Sequence, residues 1–541
     1  ADGLEAVETI HRKVSKIYFY AVMTQSCDTG DQAANAMVGQ ANALYGQMLG
    51  ATAFVDPELL AIGEEKLREW MQQEPRLAIY DHYIHDLFRR QAHVRSAEVE
   101  EILGMLSDPF GGVDNTAEML TNADLKFQPA VSSTGESYEV TQGTLNKLLS
   151  DTDREVRRTA FESYTDGYLA FKNTLASSLG TAIKRDVFYA RARRYPSSLE
   201  ASLFANNIPA EVFHNLIDTY RRNIPTWHRY WAVRRKALGV DELYPYDIFA
   251  PIAKVQPTVT YQQAVDWISE GMKPLGEEYV TPLRRGCLEE RWVDIYPNKG
   301  KRQGAFSYGT PDTYPFIMMN FNNDLKGLST LAHELGHSMH SYFTAKTQPY
   351  INTAYSLFVA EVASNFNQAM VRAYLMETQS DPDFQIALIE EAMYNFHRYF
   401  FIMPTLARFE LEAHQREEKG AGMTADDMNQ LMLDLFSEGY GKELNPLGER
   451  TGITWATFGH LYANFYVYQY ATGISAAHAL AQKILKGASP QPYLEFLKAG
   501  GSLYPIDALK HAGVDMTTPE AVETTFGVLA NYVDRLEKLV G

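Results

Sequence analysis

His333, Glu334 and His337 stand in the order His-Glu-x-x-His. On an α-helix, residues four apart share a face, so both imidazoles can hold one metal ion between them. The glutamate beside the first histidine then lies next to the ion's open position, where a carboxylate can take a proton from an attacking water. A hydrolytic zinc centre needs a third protein ligand. Downstream, Glu361 is the only charge in residues 357–364, Leu-Phe-Val-Ala-Glu-Val-Ala-Ser. A lone carboxylate in so apolar a stretch is costly unless it pairs with a cation on a neighbouring helix or binds a metal. The intervening connector, TAKTQPYINTAYS, is long enough to reverse the chain and lay a second helix across the first.

Such residues need elements to position them. Residues 304–309 and 315–321 are short aromatic and β-branched runs bounded by Gly, Pro, Asp and Asn, and they predict a hairpin. Asn322-Asn323-Asp324 then supplies a turn and a helix start. The run Phe316 to Phe321 is expected to be an edge strand beside the metal, with Phe316, Met318 and Asn320 binding an extended peptide along its backbone. The rest reads as mainly α. Apolar residues keep helical spacing over 57–90 and over 141–194, the latter ending near Tyr195-Pro196, and another helix begins at about Tyr261. Residues 108–136 collect Gly, Pro, Asn and Ser, which predicts a boundary between an N-terminal helical lobe (1–140) and the remainder (141–541).

Charge and cysteine usage narrow the partners. A net charge of −18 argues against nucleic acid and anionic membranes. Cys27 and Cys287 are the only cysteines, too few for a disulfide framework, which points to a reducing, cytoplasmic setting and to a metal held by His and carboxylate. No apolar run reaches the length of a membrane span. The N-terminus is a mixed-charge amphipathic stretch with no signal-peptide core, and its lack of a starting Met reads as a trimmed start.

Several segments together are more specific than the metal motif. HELGHSMH is preceded by KRQGAFSYG and FIMMNF, and Glu361 follows His337 by 24 residues in EVAS. His460 opens a His/Tyr segment that runs to Gly473, and FLKAGGSLYPIDALKHAGVDMTTPE and ARRYPSSLEASLFANNIP extend the likeness. With these, the chain resembles the M3 family of metallopeptidases and, within it, the oligoendopeptidase F group. The resemblance implies a two-lobed helical clamp enclosing a zincin site, with a small sheet beside the metal helix, one zinc ion, and internal cleavage of short peptides. It gives His333, His337 and Glu361 as zinc ligands and Glu334 as general base. His460, Tyr466 and Tyr470 are implied to stabilise the tetrahedral intermediate, with Tyr468 among the substrate-binding groups.

Within that frame Tyr466 and Tyr470 are preferred over Tyr468, because residues four apart share a face. Two departures from the family pattern stand out. Gln368 occupies a position, seven residues after Glu361, where the family has a second glutamate. Family members also carry further residues before the point matching Ala1.

Other residues have plainer readings. His340 is expected to pack, His82 and His85 to lie at the surface, and His397 and His414 to flank an amphipathic helix whose Glu410 and Glu412 pair with Arg408 or Arg416. Gly500-Gly501 either approaches substrate or joins two helices. Two alternatives compete with the main reading: a carboxypeptidase with the same metal motif, and a helical peptide-binding protein without catalysis.

Overall fold

Residues 304–321 form the expected hairpin, with Phe306–Tyr308 antiparallel to Phe316–Met318. A computed structural model describes all residues from 1 to 541. It adds a third strand that periodicity could not reveal. Val293–Asp294 pairs parallel to Phe316–Met318, with Val293 opposite Ile317. The order therefore places Phe316–Met318 in the middle of the sheet. This corrects the expectation of an edge strand there: both sides of its backbone are already paired, and Phe306–Tyr308 is an edge. A two-residue strand carries no readable alternation, so sequence patterning could not find this neighbour.

The chain divides into two compact units that do not follow linear order. The first comprises Ala1–Ala92, Gln256–Ser380 and Gly473–Met516; the second comprises His93–Val255, Asp381–Thr472 and Thr517–Gly541. In the first unit the opening helix Asp2–Cys27 packs on its neighbour Gln32–Thr52 and reaches the sheet. Its Phe19 ring lies 5.2 Å from that of Tyr308 and 6.0 Å from that of Phe316. The predicted helical stretch 57–90 is broken where the residues require it. Gly63 takes φ +90°, and Pro75 opens a 3-10 turn, leaving helices Val55–Ile62, Glu64–Gln73 and Asp81–Gln91. Thr260 caps the helix Tyr261–Gly271 by accepting from Gln263 N–H, at the start expected from the sequence.

The second unit is built around the 29-residue helix Ala210–Leu238, which packs along Glu520–Val540. Trp227 and Trp231 stack at 5.5 Å and meet Phe401. The Gly/Pro-rich tract 108–136 is not an open linker. Ser107–Met119 is helical and packs on Lys172–Ala192, with Phe110 against Phe188 and Tyr189. Pro109 sits in the first turn, where no backbone N–H is needed, and aromatic packing outweighs the poor propensity of Gly111 and Gly112. A short hairpin pairs Ala130–Val131 with Ser137–Tyr138. No helix is long and apolar enough to cross a membrane.

Burial leaves a signature in acid. His340, His397 and His478 lie in the interior, and burial pushes each imidazole down to about 3. The folded chain keeps them neutral where the unfolded chain, titrating at about 6.5, takes up protons. Their contribution is complete above about pH 6.5 and is lost as pH falls toward their folded values. The melting temperature should therefore drop steeply between about pH 7 and about pH 4.5. A flat profile over that range would show that these rings reach solvent.

Candidate metal and proton-transfer site

Asp324 starts the motif helix, Leu325–Thr347, by accepting from Gly327 N–H at 2.6 Å. Within it the rings of His333 and His337 stand 4.9 Å apart. The chain reverses through residues 348–356. Ser356 then caps the helix Leu357–Thr378 by accepting from Phe358 N–H at 3.1 Å. Gly336 allows these two helices to touch. A Cβ there would lie 2.5 Å from Ser364 Cα and would strike the Ala363 carbonyl as well. Gly473, in the helix Tyr468–Leu485, permits a similar approach, since its Cβ would lie 2.9 Å from that of Glu361.

This close packing brings the third donor into place. Glu361 Oε2 lies 3.5 Å from His333 Nε2, and Glu361 Oε1 lies 4.0 Å from His337 Nε2. One donor atom from each of the three residues falls within 4.8 Å of the others. Ligands about 2 Å from a shared tetrahedral ion sit about 3.3 Å apart, so this donor set fits a small divalent metal. Of the two alternatives left open for Glu361, an ion pair with a neighbouring helix or a metal, the histidine neighbours fit the second.

Each donor is oriented from behind. Gln368 Oε1 accepts from His333 Nδ1 at 3.1 Å, and its Nε2 donates to Ser329 Oγ at 2.7 Å. The carboxamide is thereby held in one orientation, and Nε2 of His333 faces the shared point. His337 hydrogen-bonds the Ala360 carbonyl, and Ser364 Oγ donates to Glu361 Oε2 at 3.0 Å. Burial pushes His337 down to about 4, assisted by His333, which keeps its lone pair available for a metal. Burial works against charge on Glu361, but His333 and His337 outweigh it and hold the carboxyl below its usual range.

Glu334 is 6% exposed. Burial pushes its carboxyl up to about 7; His333 opposes this, Glu361 adds to it, and the Ser307 N–H opposes it. Ser307 belongs to the edge strand Phe306–Tyr308, and its hydroxyl also bonds Ser338 at 2.8 Å. A carboxyl poised near neutrality beside a metal-ligand set can exchange protons. Sequence patterning missed Ser307 and Ser329, because their partners lie on other elements.

The three residues expected to bind peptide along Phe316–Phe321 have structural roles. Phe316 packs against Phe19, Met318 is fully buried, and the Asn320 amide donates to the Arg302 and Gly304 carbonyls at 3.0 Å each. In the second unit His460, Tyr466 and Tyr470 come together. The His460 and Tyr466 rings are near-parallel at 6.1 Å, and the Tyr466 and Tyr470 hydroxyls are 2.9 Å apart. They share a face although the helix starts only at Tyr468. Burial and Arg398 hold His460 below its usual pKa. Tyr399, which sequence reasoning passed over, stacks on Tyr470 at 5.2 Å. Tyr468 is different: at 1% exposed and edge-on to Phe213, it is a core side chain.

Among the plainer readings, His340 packs, stacked on Tyr355 at 3.7 Å. His82 is partly buried rather than superficial, with its ring against Tyr504. Gly500-Gly501 joins two helices and docks on Asn352, whose carbonyl accepts from Gly501 N–H at 2.8 Å. Glu412 pairs with Arg416 as expected, whereas Glu410, His397 and His414 are interior residues. The reason is that Met403–Glu418 is covered on more than one side.

Known proteins resemble this chain over its whole length. The family profile Peptidase family M3 matches residues 147–528, and the profile Oligopeptidase F matches residues 58–127. Oligopeptidase PepF of Bacillus subtilis (strain 168) is 39% identical over 542 residues, covering 100% of this chain and 81% of the Bacillus protein. A solved structure from Chlamydophila abortus superimposes with TM-score 0.91 at 33% identity, covering 99% of this chain and 90% of the other. The oligoendopeptidase-F of Enterococcus faecium superimposes with TM-score 0.78 at 32% identity, covering 100% and 93%. Three residues that could hold a metal on two touching helices, a buried glutamate beside them and matches along the whole length have one common explanation: the chain belongs to peptidase family M3, among its oligopeptidase F members.

Proposed function

We propose that this metallo-oligoendopeptidase holds one zinc ion on His333, His337 and Glu361 and cuts internal bonds of short, unstructured peptides with Glu334 as general base. The observation that carries the proposal is the convergence of three donors beside the buried Glu334 carboxyl. When bound, the metal supplies Lewis-acid activation of water and of the scissile carbonyl. The protein's own groups do the rest. Glu334 takes the water proton at its carboxylate and returns it to the leaving amine. Gln368 keeps His333 turned so that Nε2 faces the metal. By resemblance to the family, the role of neutral donor to the developing oxyanion falls to His460 and the hydroxyls of Tyr466 and Tyr470. In this reading residues 1–140 are the N-terminal lobe and 141–541 carry the chemistry. A cytoplasmic location fits two unpaired cysteines.

The correction to the sheet moves the peptide-pairing strand. If a substrate adds to this sheet, the edge strand open to it is Phe306–Tyr308, whose Ser307 N–H hydrogen-bonds Glu334. Folded proteins would first need several kcal/mol or more of unfolding free energy, which unstructured peptides do not.

Mass spectrometry of a peptide-length series, with free and amidated C-termini and with or without phenanthroline, tests the function. Internal cleavage of amidated peptides, abolished by chelator and restored by zinc, is expected. Release of single C-terminal residues from free-ended peptides alone would favour the carboxypeptidase, and rapid digestion of native globular proteins would sink the size argument. Zinc retention has its own test. Gln368→Leu removes the acceptor behind His333 and should weaken zinc binding about 10- to 100-fold in competition with a chromophoric chelator. Unchanged affinity would leave Gln368 with a packing role only.

A further inference from the structure

The helix Met403–Glu418 carries a carboxyl that the chemistry above does not use. Glu410 is 2% exposed, and its Oε1 accepts from Phe465 N–H at 2.7 Å while Oε2 has no hydrogen-bond partner. An interior carboxyl with a bare oxygen is expensive to keep. Its one partner is a residue in an unusual conformation: Phe465 takes φ +47°, in the left-handed region that a bulky side chain avoids. Phe465 lies between His460 and Tyr466, in a bend that follows the 3-10 turn Gly459–Tyr462.

The same bend is held from two further directions. Arg185 Nη2 donates to the Tyr462 carbonyl at 2.6 Å, and Ser202 Oγ donates to the Asn464 carbonyl at 2.8 Å. The Phe465 ring is fully buried against Phe213 and His414. His414 accompanies Glu410, with Nδ1 on the Glu410 carbonyl at 2.8 Å and Nε2 3.5 Å from Asp186. A backbone kept in a poorly populated region persists only where its surroundings over-determine it. Here every anchor falls on the residues between His460 and Tyr466.

We propose that Glu410 is a positioning residue: its carboxyl pins Phe465 in the left-handed bend and thereby sets the placement of His460 relative to Tyr466. The proposal rests on the catalytic reading of His460 and Tyr466 only for its effect on rate; the pinning itself is independent of it. Burial pushes the Glu410 carboxyl well above its usual range, the Phe465 N–H pulls the other way, and Asp186 adds to the rise. Glutamine is a close mimic of this carboxyl, since its amide oxygen can accept the same N–H.

The test uses the zinc-loaded enzyme, with hydrogen exchange read by mass spectrometry alongside steady-state kinetics on a quenched-fluorescence peptide. Glu410→Leu should speed exchange of the 460–466 amides by about tenfold or more, as expected for loss of a local anchor. It should lower kcat by about tenfold with KM within about threefold, because the affected donors act on the transition state. Glu410→Gln should stay within about threefold of the parent in all three. If Glu410→Leu does not fold, Ser202→Ala carries the test, with faster exchange confined to 460–466. Unchanged exchange there in both Glu410→Leu and Ser202→Ala, or Glu410→Gln as loose as Glu410→Leu, would overturn the proposal. Faster exchange with unaltered kcat would support the pinning and would count instead against the catalytic reading, which His460→Ala tests separately.

Discussion

Glu334→Gln should lower turnover by about a thousandfold or more while the protein keeps its metal. The side chain is buried beside the donor set without belonging to it, and its carboxyl is raised to about 7. That value suits a group which must take a proton and then return it near neutral pH. A carboxamide has the same shape and can still accept from the Ser307 N–H, but it cannot hold the transferred proton. KM should therefore change little, and elemental analysis should find the parent's zinc content. Glu361→Gln makes the contrast, because it removes a charged donor from the set and should deplete zinc on dialysis. Near-normal turnover in Glu334→Gln would exclude it as the base.

Gly336→Ala should have the largest structural effect for the smallest change in the chain. The added methyl would meet backbone atoms of the facing helix, Ser364 Cα at 2.5 Å and the Ala363 carbonyl, and backbone cannot rotate aside. The two helices would have to separate. Glu361 lies less than one turn before those atoms, so its carboxylate would move away from the two imidazoles. Overpacking of this kind costs about 1–3 kcal/mol. We expect a lower melting temperature together with weaker zinc binding, measured by thermal denaturation and chelator competition. Gly180→Ala is the control, since its Cβ would meet nothing within 4 Å in the helix Lys172–Ala192 and alanine favours helix there. Parent-like melting and zinc affinity in Gly336→Ala would show that the helices can yield, and that their contact does not set the donor geometry.

Much of the chemistry is written locally. The histidine pair needs only the pitch of a helix, and the capping residues Asp324, Ser356 and Thr260 need only their own neighbours within the next turn. The hairpin before the motif follows from alternation and turn residues. Interactions that close over a few residues are determined by those residues, so these features could be read without a fold.

What the tertiary structure decided involves partners far apart in sequence. The strand Val293–Asp294 converts Phe316–Met318 from an edge to a centre, and leaves Phe306–Tyr308 as the edge on the other side. Tyr468 has the same type and surroundings in sequence as Tyr466 and Tyr470, yet Phe213 claims it for the core. Glu410 looked like one half of a surface ion pair until the bend at Phe465 supplied its partner, 55 residues away. The helix Ser107–Met119 forms against its local propensity because Lys172–Ala192 packs on it. The sequence alone determined which residues could hold a metal and move a proton, since that depends on residue type and helical spacing. Packing between distant segments decided which face of a strand is open, which tyrosines remain reachable and which carboxyl is buried, because burial is a property of the assembled neighbours and of no single stretch of chain.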